Sequence, residues 1–158
     1  MSRLEVPILG KIIRATGDVI LWAGLDLLLR NSSAAFLSYA FLVDTGTQIT
    51  TFPAYEGKQA DLPMPIHASP LRHRQTGLEV RSGFLRFQVA GMDATEYTTT
   101  CLFLGDPDTP LPPRQQAGSR WMLLQPLSLL GQLRFDFDKD AKTAGTPHGI
   151  MTVEKKIP

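Results

Sequence analysis

The stretch "FLVDTGTQITTF", Phe41 to Phe52, sets one carboxylate, Asp44, between an apolar run and Thr45, Gly46 and Thr47. An acid at the end of a strand-like run, followed by a residue free to adopt backbone angles that others avoid, is presented where a substrate can reach it. On these residues alone the simpler account is an Asx-turn, with Asp44 bonding nearby backbone N–H groups. The chemical account needs a second acid. Water is a poor nucleophile toward an amide, and two close carboxylates sharing one proton overcome this. One takes a proton from water while the other donates to the carbonyl oxygen. Like charges that close do not both ionise cheaply, so one stays protonated at mildly acidic pH.

Other candidate chemistry is thinner. His67, His73 and His148 have no ligand-like spacing to one another or to Cys101 and read as solvated loop residues, so no metal is expected. "DFDKDAKTAG", Asp136 to Gly145, begins like a calcium loop but lacks glycine at the sixth position and glutamate at the twelfth. It reads as a strand end with solvated acids. There is no phosphate-cradling glycine loop and no Ser-His-Asp spacing motif, and no cofactor is expected. Trp22 and Trp121 stand alone and read as packing residues. Cys101, the single cysteine, lies in the apolar "CLFL" and reads as a buried, inert thiol, which suits a reducing compartment.

The bulk numbers limit partners. With 158 residues, 43% hydrophobic and a formal charge of +1, the chain suits one folded domain and offers no field of one sign for nucleic acid or an anionic membrane. "VILWAGLDLLL", Val19 to Leu29, is too short to cross a bilayer and is interrupted by Asp26, so no membrane span is expected. The N-terminus has no continuous apolar segment of the signal-peptide kind. The expected location is cytoplasmic.

The elements that must position Asp44 read as strands: short runs rich in Val, Ile, Phe and Tyr, separated by Gly, Asn, Ser and Pro. "DVILWAGLDLLL" and "AAFLSYAFLV" flank the turn-forming "RNSS" and suggest an antiparallel pair, although periodicity alone leaves a helix open for the first. "LEVRSGFLRFQVA", Leu78 to Ala90, and "TEYTTTCLFL" form a second hairpin about "GMDA", with Val80, Phe84 or Leu85, Phe87 and Val89 facing inward. "GDPDTPLPPRQQAG", Gly105 to Gly118, reads as an exposed loop. "PLSLLGQL" after Gln125 reads as a short helix and "RFDFD" as a final strand. Residues 139–158 form a polar tail, either loose or an edge strand against a partner, leaving residues 1–138 as the domain.

Taken in order, these segments resemble a known family. "FLVDTGTQITTFP" resembles the active-site loop of retropepsin-like aspartic proteases, "RQTGLEVRSGFLRFQVAG" resembles the flap and following strand of bacterial single-domain members, and "RWMLLQPLSLLGQLRFDFD" resembles their closing segment. The likeness runs from about Val6 to Asp138 and is most specific at Asp44 to Thr47. It implies an all-β fold, the retropepsin-like closed β-barrel of one acid-protease lobe, with one short helix near the C-terminus. It implies catalysis by Asp44, a brace across the subunits by Thr45, a dyad contact by the backbone of Gly46, and a substrate-binding flap near Thr76 and Gly77. Arg72, His73, Arg74 and Arg81 then lie near the flap, as an exposed basic rim or as a preference for acidic residues beside the cleavage site.

Only one D-T-G is present, and Asp108-Thr109-Pro110 has proline where glycine is required. The second carboxylate then comes from a two-fold homodimer that brings Asp44 of each chain to the axis. The expected function is that of an aspartic endopeptidase acting on peptide or protein substrates. The chain departs from the family at Gln125 and Pro126, where glycine usually follows two apolar residues. That departure motivates the alternative, a catalytically silent domain that binds peptide or protein as a dimerisation module.

Overall fold

Residues 2–112 and 121–157 are described by the computed structural model. Period-two burial builds its longest strand, β3 (Val19–Arg30): Ala23, Leu25, Leu27 and Leu29 are buried while Asp26 between them is exposed. That pattern decides the segment left open between strand and helix, because a helix would not bury every second residue. β3 pairs antiparallel with β4 (Phe36–Val43) from Arg30↔Phe36 to Ala23↔Val43. Asn31 closes this hairpin, its Oδ1 accepting from the backbone N–H groups of Ser33 and Ala35 at 3.0 and 2.9 Å.

β5 (Thr50–Pro53) follows β4 and leads into α1 (Ala54–Gln59), a helix not expected from the sequence. The second hairpin forms as read, β6 (Val80–Val89) against β7 (Tyr97–Leu104), with Leu85 buried and Phe84 exposed. β8 is the dipeptide Leu123–Leu124, followed by a 3-10 helix, Pro126–Leu129, and β9 (Leu133–Asp138). The sheet order β3-β4-β8-β5-β7-β6 closes through β6 onto β3, so six strands form a ring. Phe41, Phe52, Phe87, Phe103, Leu124 and Leu129 lie fully buried in its core. Phe52 stacks on Phe41 with centroids 5.8 Å apart and meets Tyr39 and Phe103 edge-on.

The N-terminus adds β1 (Arg3–Pro7) and β2 (Leu9–Ile12), and β2 pairs antiparallel with the start of β3, Val19–Trp22. The region after Asp138 differs from expectation. Ile150–Lys155 is strand β10, neither loose nor at an edge, since it lies between β1 and β9 in a three-stranded antiparallel sheet. Its alternating Met151 and Val153, both fully buried, drive this placement, and Ile150, Met151, Val153 and Ile157 scattered in a polar stretch carry too little signal to show it. The loop from Gly105 is irregular to Pro112, and its remainder lies outside the described residues. Among the described residues, no helix is long and apolar enough to cross a membrane.

Candidate active site

Asp44 sits where β4 and β5 part. These consecutive strands are not neighbours, because β8 inserts between them, parallel to β4 and antiparallel to β5. Strands two ladder steps apart are about 10 Å from one another, so residues 44–49 must bridge over the end of β8. Backbone bonds fix the bridge at its start: Leu42 N–H donates to Met122 O and Asp44 N–H to Leu124 O, both at 3.0 Å. At its far end the Thr50 hydroxyl accepts from Gln125 N–H at 2.9 Å, and the Thr51 hydroxyl donates to Trp121 O at 2.9 Å. Thr50 and Thr51 are buried, and these bonds are what their hydroxyls require there.

Within the bridge, Gly46 N–H donates to Asp44 Oδ1 at 2.8 Å. The Asx-turn is therefore present, and it occupies one oxygen only. Oδ2 accepts no hydrogen bond from the described residues. Gly46 needs a different explanation from the one its sequence suggested, since it is not among the glycines with positive φ. A Cβ at this position would stand 3.2 Å from Asp44 Oδ1, so any other residue would have to push the carboxylate aside by a few tenths of an ångström. Thr45 and Gly46 are exposed and Asp44 half-buried, while the Thr47 hydroxyl turns back to donate to Ile49 O at 2.9 Å.

Gln125 holds the bridge from behind. The side chain is buried, and its Nε2 donates to Thr47 O at 3.0 Å. Its Oε1 accepts from the backbone N–H groups of Leu127 and Ser128, capping the 3-10 helix. Glutamine thus fills the space under the loop and ties loop to helix, while Leu124 keeps its pairing with Val43. Pro126 opens that helix, at a position where its missing N–H costs nothing.

A groove of about 540 Å³ opens over Asp44 and Thr45. Its walls include Ile8, Trp22 and Val43 on one side and Phe137 and Asp138 on the other. Trp22, read from sequence as a packing residue, is half-buried and forms part of this wall. The hairpin register could have placed it: equal steps back from Arg30↔Phe36 bring position 22 beside position 44. The other side comes from a long-range contact with β9 and the turn after it, which no local pattern signals. Asp138 Oδ1 accepts from Asp140 and Ala141 N–H at 3.0 and 3.2 Å, an ordinary turn.

Thr76 and Gly77 occupy the turn of a short hairpin closed by the Arg72↔Glu79 bridge. His73 N–H donates to Leu78 O and Gly77 N–H to His73 O, both at 2.8 Å, and Gly77 has φ +68°. Neither residue lines the Asp44 groove. Of the basic residues nearby, Arg81 does not belong to an exposed rim: it is buried, paired with Glu79 at 2.8 Å and directed to Gly105 O. Cys101 is fully buried, and burial pushes its thiol well above the ordinary range. No group of three or more His, Cys, Asp or Glu suited to a metal occurs among the described residues. No protein-family model, curated protein or solved structure matches the chain.

Proposed function

We propose that this chain is a retropepsin-like aspartic endopeptidase whose active site forms between two copies, each supplying one Asp44. The observation that carries the reading is the state of that carboxylate. Oδ1 is fixed by Gly46 N–H while Oδ2 stays bare in an open groove, on a loop held from behind by Leu124 and Gln125. An acid that served only its turn would not require so elaborate a support. With two such carboxylates at a two-fold axis, one accepts a proton from water and the other protonates the scissile carbonyl. On this reading Thr45, exposed beside the acid, takes the brace to the partner's loop, and the Thr76–Gly77 hairpin, which lies outside the groove of the single chain, takes the flap over an extended peptide.

Two surface features favour pairing with a second copy. Among the described residues β9 is an edge strand whose exposed Phe137 lines the Asp44 groove with exposed Leu21, and Leu9, Ile12, Val19 and Ile20 are further large apolar side chains left exposed on the β2–β3 pair. Exposed apolar groups next to an unpaired strand edge call for a partner. The silent-domain reading drew on Gln125, yet that side chain is engaged under the loop and does not line the Asp44 groove.

The test is cleavage of a denatured protein mixture from pH 3 to 7 by the parent and by Asp44→Asn. Pepstatin-sensitive cleavage by the parent alone is expected. Equal, pepstatin-insensitive cleavage by both overturns the proposal.

A further inference from the structure

The ring of strands is incompletely sealed at one seam. β3 and β6 pair only over Leu27–Leu29 against Phe87–Val89. β3 then ends at Arg30, while β6 continues through Arg86 to Ser82 with β7 on its other side. A cleft of about 650 Å³ opens where they separate. All five consecutive residues from Ser82 to Arg86 line it, although their side chains alternate between the two faces of the sheet. The cleft therefore runs along the strand edge, where every second residue turns its backbone N–H and C=O outward.

The opposite wall cannot close that edge as a strand would. It is the segment Leu62–Pro65, in which Pro63 and Pro65 have no N–H to donate. Among the described residues, a backbone bond to β6 from this side occurs only past the cleft, from Ser69 N–H to Val80 O at 2.8 Å. The side chains along the edge are also uncommitted. Phe84 is 64% exposed. Arg86 is exposed and has no ion-pair partner among the described residues, whereas Arg30 at the mouth is held by both oxygens of Glu96 at 3.1 Å.

We propose that this cleft binds an extended peptide by strand addition to β6, and that the peptide carries an acidic side chain two residues before an aliphatic one. The spacing follows from the strand. Phe84 and Arg86 project from one face, so a peptide paired antiparallel, the more stable arrangement per residue, meets Arg86 first and Phe84 two residues later. The backbone ladder supplies affinity and the two side-chain pairs supply the choice of sequence. The cleft and the Asp44 groove share no lining residue, so docking here does not require catalysis.

Three fluorescein-labelled peptides probe it by anisotropy: Thr-Ser-Glu-Ser-Val-Ser-Thr, the same peptide with Lys for Glu, and one N-methylated on the Val nitrogen, which faces β6 opposite Phe84. The first should bind saturably, and the Lys peptide about tenfold more weakly as attraction turns to repulsion. N-methylation removes a donor of the backbone ladder and should abolish binding. In the folded variant Arg86→Glu the preference should invert, and amide shifts on titration should centre on Ser82–Arg86. Equal binding of the Glu and Lys peptides, absence of binding, an unchanged preference in the variant, or shifts centred on the Asp44 loop each overturn the proposal.

Discussion

Replacing Gln125 with alanine tests how the Asp44 loop is supported. Alanine removes the acceptor that caps the 3-10 helix, a loss of about 1 kcal/mol, and the amide bond to Thr47 O, about another 1 kcal/mol. It also removes a buried methylene worth about 0.8 kcal/mol. Together the loss is about 3 kcal/mol, which lowers the melting temperature of a chain this size by about 6–12 °C. Urea unfolding followed by circular dichroism reads the free energy directly, with Gln125→Glu as the companion. Glutamate keeps the capping acceptor but sets an oxygen against Thr47 O, so only the loop bond is lost and a repulsion is added. Gln125→Gly should be at least as destabilising as alanine and should confer no activity that the parent lacks. A loss below about 1 kcal/mol for Gln125→Ala, or a gain in stability for Gln125→Gly, refutes the claim that this side chain holds the loop.

Four further outcomes follow from single residues. Gly46→Ala should lower proteolysis about tenfold or more by displacing the carboxylate 3.2 Å from the new Cβ, while the melting temperature changes little. Gly149→Ala should destabilise by at least about 2 kcal/mol in a thermal melt, because φ is +98° and the Cβ would fall 2.2 Å from Asp138 O. The Cys101 thiol should resist an aromatic disulfide reagent at pH 8 in the folded chain and react at once in denaturing urea; fast labelling of folded protein contradicts its burial. Hydrogen bonds from Thr95, with Lys155 assisting, hold the Asp93 carboxyl below its ordinary range. Its folded value is depressed, so its contribution is present above the unfolded value and lost as pH falls through the folded one. Asp93→Asn should therefore be less stable than the parent at pH 7 and approach it below about pH 4, as read from paired melts across that range.

Much of the architecture could be read because period-two patterns carry their own direction. The β3–β4 pair follows from Asn31 and the alternation Ala23 to Leu29, and the β6–β7 pair follows from the spacing Leu85, Phe87, Val89. Asp44 stood out because residue type and position coincided at the end of such a strand. The role of Gly46 was misjudged, since positive φ and close approach both select glycine and only coordinates separate them. β10 was hidden by its weak pattern: two buried residues become apolar anchors only when β1 and β9 arrive from opposite ends of the chain. Gln125 reads as a departure from the family's glycine because sequence shows added volume and not where it points. Its amide lies under the loop, bonded at both ends.

The claim that each active site draws one Asp44 from each of two chains is tested most directly by mixing subunits. Parent and Asp44→Asn chains are unfolded together, refolded at fixed total concentration and assayed for cleavage as the parent fraction is varied. The account predicts that activity falls as the square of the parent fraction, because a mixed pair has only one carboxyl able to exchange the proton. Activity proportional to the parent fraction, as expected of subunits that work alone, contradicts it.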